Sequence, residues 1–210
     1  TADMTDFALK LALIEGHLWV ATELVKQGHL ALGNKHSKHP AQEVYTELKP
    51  LLASIDSRGF ADELERMSAH LQNQEIENFQ KAYLDAVKAI NSIHLQMSLT
   101  LAQKLELVFG LLKQAYIEYN VGVVEGAVLD AQEYQDARGF THVAGVIVRG
   151  LNDGSDTQLL KKDLTQLLAR FSTIDQLWPN LKGDGAISIG SESLGQLVEH
   201  ARRIRNAHPQ

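Results

Sequence analysis

The sequence predicts an all-α protein with the architecture of an up-and-down helical bundle. Apolar residues recur at three- and four-residue steps over long segments, which is the spacing of an amphipathic helix. Only 4 prolines interrupt the 210 residues, and the 44% apolar and 22% charged content is typical of a globular chain with a core. We expect a single helical domain over residues 1–210.

The first periodic segment predicts one long helix from Met4 to about Gly33. A polar break at 34–38 separates it from a second helix that begins at His39 and runs to about Ile55. Pro40 suits the first turn of that helix, whereas Pro50 predicts a kink or an early end. The apolar stripe of the first helix contains Phe7, Leu11, Ile14, Leu18, Ala21 and Val25.

The rest of the chain predicts further helices joined by short polar breaks. The segment 141–151 is rich in β-branched residues, but a lone strand would have no partner, so a helix is favoured. The segment from Leu99 to about Ala137 predicts one long helix with a bend near Gly110 or Asn120–Gly122. The remaining predicted helices cover 60–71, 76–94, 157–171 and 194–206.

An internal echo suggests two related halves, at about 1–95 and 96–210. Residues 14–23 align with 124–133, sharing Glu-Gly, Ala and Glu. The motif Asp-x-Arg-Gly-Phe occurs at 56–60 and again at 136–140. Chance similarity between amphipathic helices is the alternative explanation.

The charge balance excludes some functions. The formal net charge is −6 and no Lys/Arg stripe is visible, so nucleic acid is not an expected partner. Cations or neutral ligands suit this charge better. No segment approaches the roughly 20 consecutive apolar residues of a membrane span, so the chain is not expected to span one. The absence of cysteine excludes thiolate chemistry and sulfur-based zinc sites.

The first residues, Thr-Ala-Asp, lack an initiator Met. Small residues of this kind follow a cleaved signal peptide, and they favour an exported, periplasmic protein.

A histidine-rich segment is the first candidate metal site. Four of the nine histidines fall between His17 and His39. His39 and Glu43 are four residues apart on one predicted helix face, and His36 in the preceding break can fold over it. Imidazole with carboxylate suits a transition metal such as iron, copper or zinc. The alternative is that these histidines serve as helix caps or hydrogen-bonded core residues.

An acidic segment is the second candidate. Glu125 and Asp136 are eleven residues apart, which returns to nearly the same stripe of a continuous helix, and Asp130 and Glu133 lie beside it. Acidic side chains on an apolar helix are costly to bury without a cation or hydrogen-bond partners. The alternative is a solvated face.

The Glu15-Gly16-His17 and His39-Pro40-x-x-Glu43 elements, in an all-helical and seemingly duplicated chain, resemble the imelysin-like group of bacterial periplasmic proteins. That resemblance implies a role linked to iron uptake, and no site residue is transferred from it. The leading hypothesis is an exported metal-binding protein that handles iron or copper. The alternatives are a helical interaction or scaffold module without metal, and an acid–base enzyme. The enzyme is not favoured, because no nucleophile elbow or phosphate-binding glycine loop is present.

Overall fold

A computed structural model describes residues 4–42, 45–185, 187 and 190–209, with the side chains of 39–42 left undescribed. The all-α prediction is confirmed. The elements are α1 Met4–Lys26, α2 Leu30–Gln42, α3 Tyr45–Ser54, α4 Ala61–Gln72, α5 Ile76–Met97, α6 Leu101–Gly122, β1 Val123–Val124, β2 Ala127–Val128, α7 Ala131–Asp153, α8 Gln158–Ile174, a 3-10 turn Asp175–Leu177, and α9 Glu192–Ala207. None of these described helices is both long enough and apolar enough to cross a membrane.

The chain divides into two compact units, Thr1–Leu99 and Thr100–Gln210. In the first, which we call the N-terminal unit, α1 contacts α2, α3 and α5, and α4 contacts α2 and α5. The predicted apolar stripe of α1 is confirmed, since all six of its residues are buried. Helix α1 is 23 residues long, and burial of this stripe makes it the central helix against which α2, α3 and α5 pack.

The C-terminal unit, Thr100–Gln210, is a four-helix bundle. Helix α6 contacts α7 and α9, and α8 contacts the same two helices, so the four close into a ring. The connection from α7 to α8 is short, as is typical of an up-and-down bundle, whereas residues 175–191 make a longer connection from α8 to α9. Its core takes apolar residues from all four helices, among them Leu111, Leu112, Ala144, Leu164, Leu167 and Leu197.

The predicted continuous helix from Leu99 to Ala137 is wrong. A two-residue β-hairpin interrupts it, with Val123 paired to Val128 and Val124 to Ala127. Glu125 and Gly126 form the turn with φ of 51° and 77°. Positive φ at both central residues gives the twist that a tight hairpin needs, and glycine at the second position lowers its cost. The hairpin reverses the chain, so α7 packs antiparallel on α6.

The N-terminal helices also differ from the prediction. The first helix ends at Lys26 because Gly28 adopts φ of 83°, and α2 runs through the expected polar break and through Pro40. Helix α3, Tyr45–Ser54, continues through Pro50. His39 therefore lies within α2 rather than at the start of a helix.

The internal echo does not correspond to equivalent local structure. Gly16 lies within α1, whereas Gly126 lies in the hairpin turn. Residues 56–60 form a loop between α3 and α4, whereas residues 136–140 are part of α7. A duplication of two related halves stays a prediction.

Gly122 sets how closely α6 and α7 approach. A Cβ there would lie 2.5 Å from the Tyr134 nitrogen and 2.9 Å from the Asp130 oxygen, both backbone atoms that cannot rotate away. We expect Gly122→Ala to lower the free energy of unfolding by about 1–3 kcal/mol, because the helices must separate. Chemical denaturation measures this.

Gly150→Ala is the matched control for that substitution. Gly150 lies within α7, and no heavy atom is within 4 Å of its would-be Cβ. Alanine there should stabilise the helix by about 0.5–1 kcal/mol. Equal effects of the two substitutions would contradict the close α6–α7 packing.

Candidate metal centre

Two acidic side chains of the C-terminal unit, Glu118 and Glu133, form what we call the carboxylate cluster, and the charge of a third, Asp136, acts on it. Glu118 comes from α6, and Glu133 and Asp136 come from α7. The hairpin sets their register, because Glu118 lies five positions before Val123 and Glu133 lies five positions after Val128. A chain that reverses at Glu125-Gly126 therefore brings Glu118 opposite Glu133, and the two carboxyl groups share a hydrogen bond.

The electrostatics of the cluster favour protonation of Glu133. Its pKa is raised to about 8, first by burial, then by the hydrogen bond with Glu118, and then by the negative charges of Glu118, Asp136 and Asp130. Glu133 lies in the first turn of α7, where the helix dipole stabilises a negative charge by roughly 0.3–1 kcal/mol. Burial and repulsion exceed this stabilisation. Two carboxyl groups placed in this way must hold a proton or a cation between them.

The neighbours of the cluster hold its side chains in place. Gln114 lies one turn before Glu118 on α6, and its side-chain amide donates a hydrogen bond to the Glu118 carboxylate. Asp130 caps α7, its carboxylate accepting from the backbone N–H of Gln132 at 2.9 Å and of Glu133 at 3.3 Å. Asp136 is 3% exposed, so its position depends on the packing of α7. The donor set is entirely oxygen, and the oxygens project from two facing helices.

An aromatic group supports α6 and α7 beside the cluster. The Trp178 indole N–H donates to the Tyr134 carbonyl at 2.9 Å, and its ring contacts Tyr119 edge-on at 5.4 Å. The Tyr134 hydroxyl donates to the Asn180 carbonyl at 2.7 Å. Burial raises the pKa of Tyr119 to about 12 and raises that of Tyr134 as well, so both phenols stay protonated. Tyr134 directly follows Glu133, and these contacts fix that part of α7.

The N-terminal unit brings two of the predicted histidines together, and we call them the histidine pair. His17 of α1 and His36 of α2 are both buried, with ring centroids 6.1 Å apart and planes 30° apart. A ring nitrogen of each lies within 4.8 Å of one on the other. Gly33 permits this, because a Cβ there would lie 2.9 Å from the Ala21 carbonyl oxygen of α1.

The remaining predicted site residues are His39, Glu43 and Glu125. Glu43 lies outside the described residues, and His39 lies in the last turn of α2 with its side chain undescribed. Glu125 is exposed in the hairpin turn, so its predicted alignment with Asp136 on one helix stripe is wrong. Of the predicted acidic set, Glu133 belongs to the cluster, and the charges of Asp136 and Asp130 act on it.

Glu118 is a site residue that the sequence reasoning missed. In a continuous helix, Glu118 and Glu133 would be fifteen residues apart along one rod, with no reason to meet. The signal that could have found it is Val-Val-Glu-Gly-Ala-Val at 123–128, where β-branched residues flank a Glu-Gly pair. Once that segment is assigned to a hairpin, the antiparallel register pairs the two glutamates.

Fold and site together define the class of protein: an all-α chain whose C-terminal four-helix bundle holds carboxylates between two of its helices. The family model of the iron permease-associated 4-helix bundle domain matches residues 96–204, more than half of the chain. The chain belongs to that family. This is consistent with the iron-uptake link that the sequence resemblance implied, although the matching family is not the imelysin-like group. Searches of curated proteins and of solved structures found no match.

Proposed function

We propose that this chain is an exported, periplasmic domain that binds iron for an iron permease. The observation that carries the proposal is the carboxylate cluster, in which Glu118 and Glu133 are held together across two helices of the bundle to which the family description applies. The description names an iron permease, and the site offers the kind of ligand that iron accepts.

Repulsion among the carboxylates supports the binding of a cation. Burial and neighbouring negative charges disfavour the ionised form of Glu133 in the metal-free protein. A bound cation would offset that cost, because it neutralises the negative charge of the carboxylates. Inward carboxylates from facing helices are how helix bundles build iron sites. Glu118 and Glu133 would supply oxygen ligands, Asp136 would add negative charge nearby, and water would complete the shell.

The histidine pair supports a second metal-binding element in the N-terminal unit. Two buried imidazoles whose nitrogens lie within 4.8 Å suit iron, copper or zinc better than a hard alkaline-earth ion. His39 and Glu43, which follow His36 in the sequence, are proposed to contribute to this element. Glu125 is proposed only as an accessory ligand from the exposed hairpin turn.

A metal titration tests the proposal. The protein is purified without a His tag, stripped with a chelator, and titrated with ferrous and ferric iron, copper and zinc while binding is followed by calorimetry. We expect at least one equivalent of iron to bind. Failure of every metal to bind would overturn the proposal.

The alternative is a helical interaction module without metal. The observation that favours it is a group of exposed apolar side chains at the end of α6 and around the hairpin: Ile117, Val121, Val124 and Leu129. Contiguous exposed apolar residues are typical of protein-binding surfaces. Under this alternative, Glu118 and Glu133 hold only a shared proton, and substituting them changes stability without changing any metal content.

A further inference from the structure

A groove between α7 and α8 in the C-terminal unit is lined mainly by basic and apolar residues, in contrast to the acidic carboxylate cluster. It encloses about 330 Å³ and is lined by Arg138, His142, Gly145, Arg149, Phe171 and Ser172, among others. Pockets of roughly 300 Å³ are at the lower end of those that hold small organic molecules. The chain carries a net charge of −6, yet this groove collects two arginines and a histidine against the single carboxylate of Asp175.

The groove residues contributed by α7, which are two arginines, a histidine and a glycine, lie on one stripe of the helix. Positions 138, 142, 145 and 149 recur at four, three and four residues, which places them on one face of the helix. Side chains on a helix lean toward its N-terminus. In agreement with this, a guanidinium nitrogen of Arg149 lies 3.5 Å from the would-be Cβ of Gly145, over the floor of the groove.

The two arginines differ in how they are held. Arg138 donates to the Asp175 carboxylate at 2.7 Å and stacks over the Trp178 ring at 5.3 Å, so its guanidinium is fixed at one end. Arg149 is exposed and makes no ion pair with any side chain in the part of the chain that the structure describes. Its charge is therefore available to a ligand.

The floor between the two arginines is apolar. Gly145 has no side chain, and the Phe171 ring approaches to 3.4 Å from the position its Cβ would take. Leu168 lines the same wall. An apolar surface flanked by guanidinium groups is complementary to a molecule with an organic body and carboxylate groups, because arginine binds carboxylates with paired hydrogen bonds.

We propose that the α7–α8 groove binds a small organic acid, with Arg149 as the main ligand of its carboxylate and Phe171 beneath its organic part. This site is independent of the proposed iron site. It gives the chain an anion-binding function in addition to cation binding.

Calorimetric titration at constant ionic strength tests the proposal, with phthalate, citrate and inorganic phosphate as probes. Phthalate or citrate should bind more tightly than phosphate, and Arg149→Gln should weaken that binding about tenfold or more, the loss of a charge-assisted hydrogen bond. Lys161→Gln is the control, since Lys161 is exposed on α8, outside the residues that line the groove, and the change in charge is the same.

Three outcomes would overturn the proposal: no binding of either organic acid, equal weakening by the two substitutions, or phosphate binding as tightly as the organic acids. Iron titration of Arg149→Gln separates this site from the other. Unchanged iron binding is expected, whichever way the organic-acid result falls.

Discussion

Replacing Glu133 by Gln should weaken iron binding by at least about 10- to 100-fold. That is the loss of affinity typical when a residue that only orients a metal ligand is replaced, and Glu133 is proposed to bind the metal directly. The substitution keeps the shape of the side chain and removes the charge that a cation would compensate. The Gln amide can donate to Glu118 as the protonated carboxyl does, so the fold should be retained. Calorimetric titration with iron of the metal-stripped wild-type and variant proteins measures the change.

Glu192→Gln is the matched control for that experiment. Glu192 lies exposed in the first turn of α9, in the same unit, and the same carboxyl-to-amide replacement is made there. It should leave iron affinity unchanged within about twofold, because exposed charges are largely screened by salt. Equal affinity of the Glu133→Gln and wild-type proteins would show that the carboxylate cluster does not hold the metal.

The metal-free protein should become less stable as the pH rises from about 5 to about 8. Glu133 has a pKa raised to about 8 in the folded chain, against 4.5 when exposed, so between these values the folded state binds more protons than the unfolded state. Stability then falls with increasing pH, and the stabilising effect of the proton is complete only below about 4.5. The loss is on the order of 2–4 kcal/mol. Urea unfolding at a series of pH values measures it.

The same series on Glu133→Gln isolates the contribution of this residue. Other carboxylates act with the opposite sign and at lower pH, since ion pairs with arginine lower the pKa of Glu199, and the hydrogen bond with His70 lowers that of Glu75. They are present in both proteins and cancel in the difference. The variant should lose most of the decrease between pH 5 and pH 8. A variant with the wild-type profile would contradict the raised pKa.

Much of the fold follows from local sequence patterns. The stripe from Phe7 to Val25 predicts a buried helix face because its spacing matches the helical repeat, and all of its residues are buried. The β-branched segment 141–151 is helical, as expected, because a strand there has nothing to pair with. Such inferences depend on a single helix and its own periodicity.

The errors arise where one or two residues reverse the chain. The Glu125-Gly126 turn is only two residues long, yet it divides one predicted helix into two helices that pack against each other. Pro50 lies within α3, where its missing N–H removes one backbone hydrogen bond without ending the helix. The same error affects the predicted site. The spacing of acidic residues on one presumed helix predicts Glu133 and Asp136, whereas Glu118 meets Glu133 only because the hairpin reverses the chain.

The location of bound iron is the most direct test of the central claim. Crystals of the iron-loaded protein, measured on both sides of the iron absorption edge, would place the metal by its anomalous signal. We expect a peak between α6 and α7, within about 2.0–2.3 Å of carboxylate oxygens of Glu118 and Glu133, the usual range of metal–oxygen bonds. Iron found elsewhere, with the Glu118–Glu133 hydrogen bond intact, would contradict it.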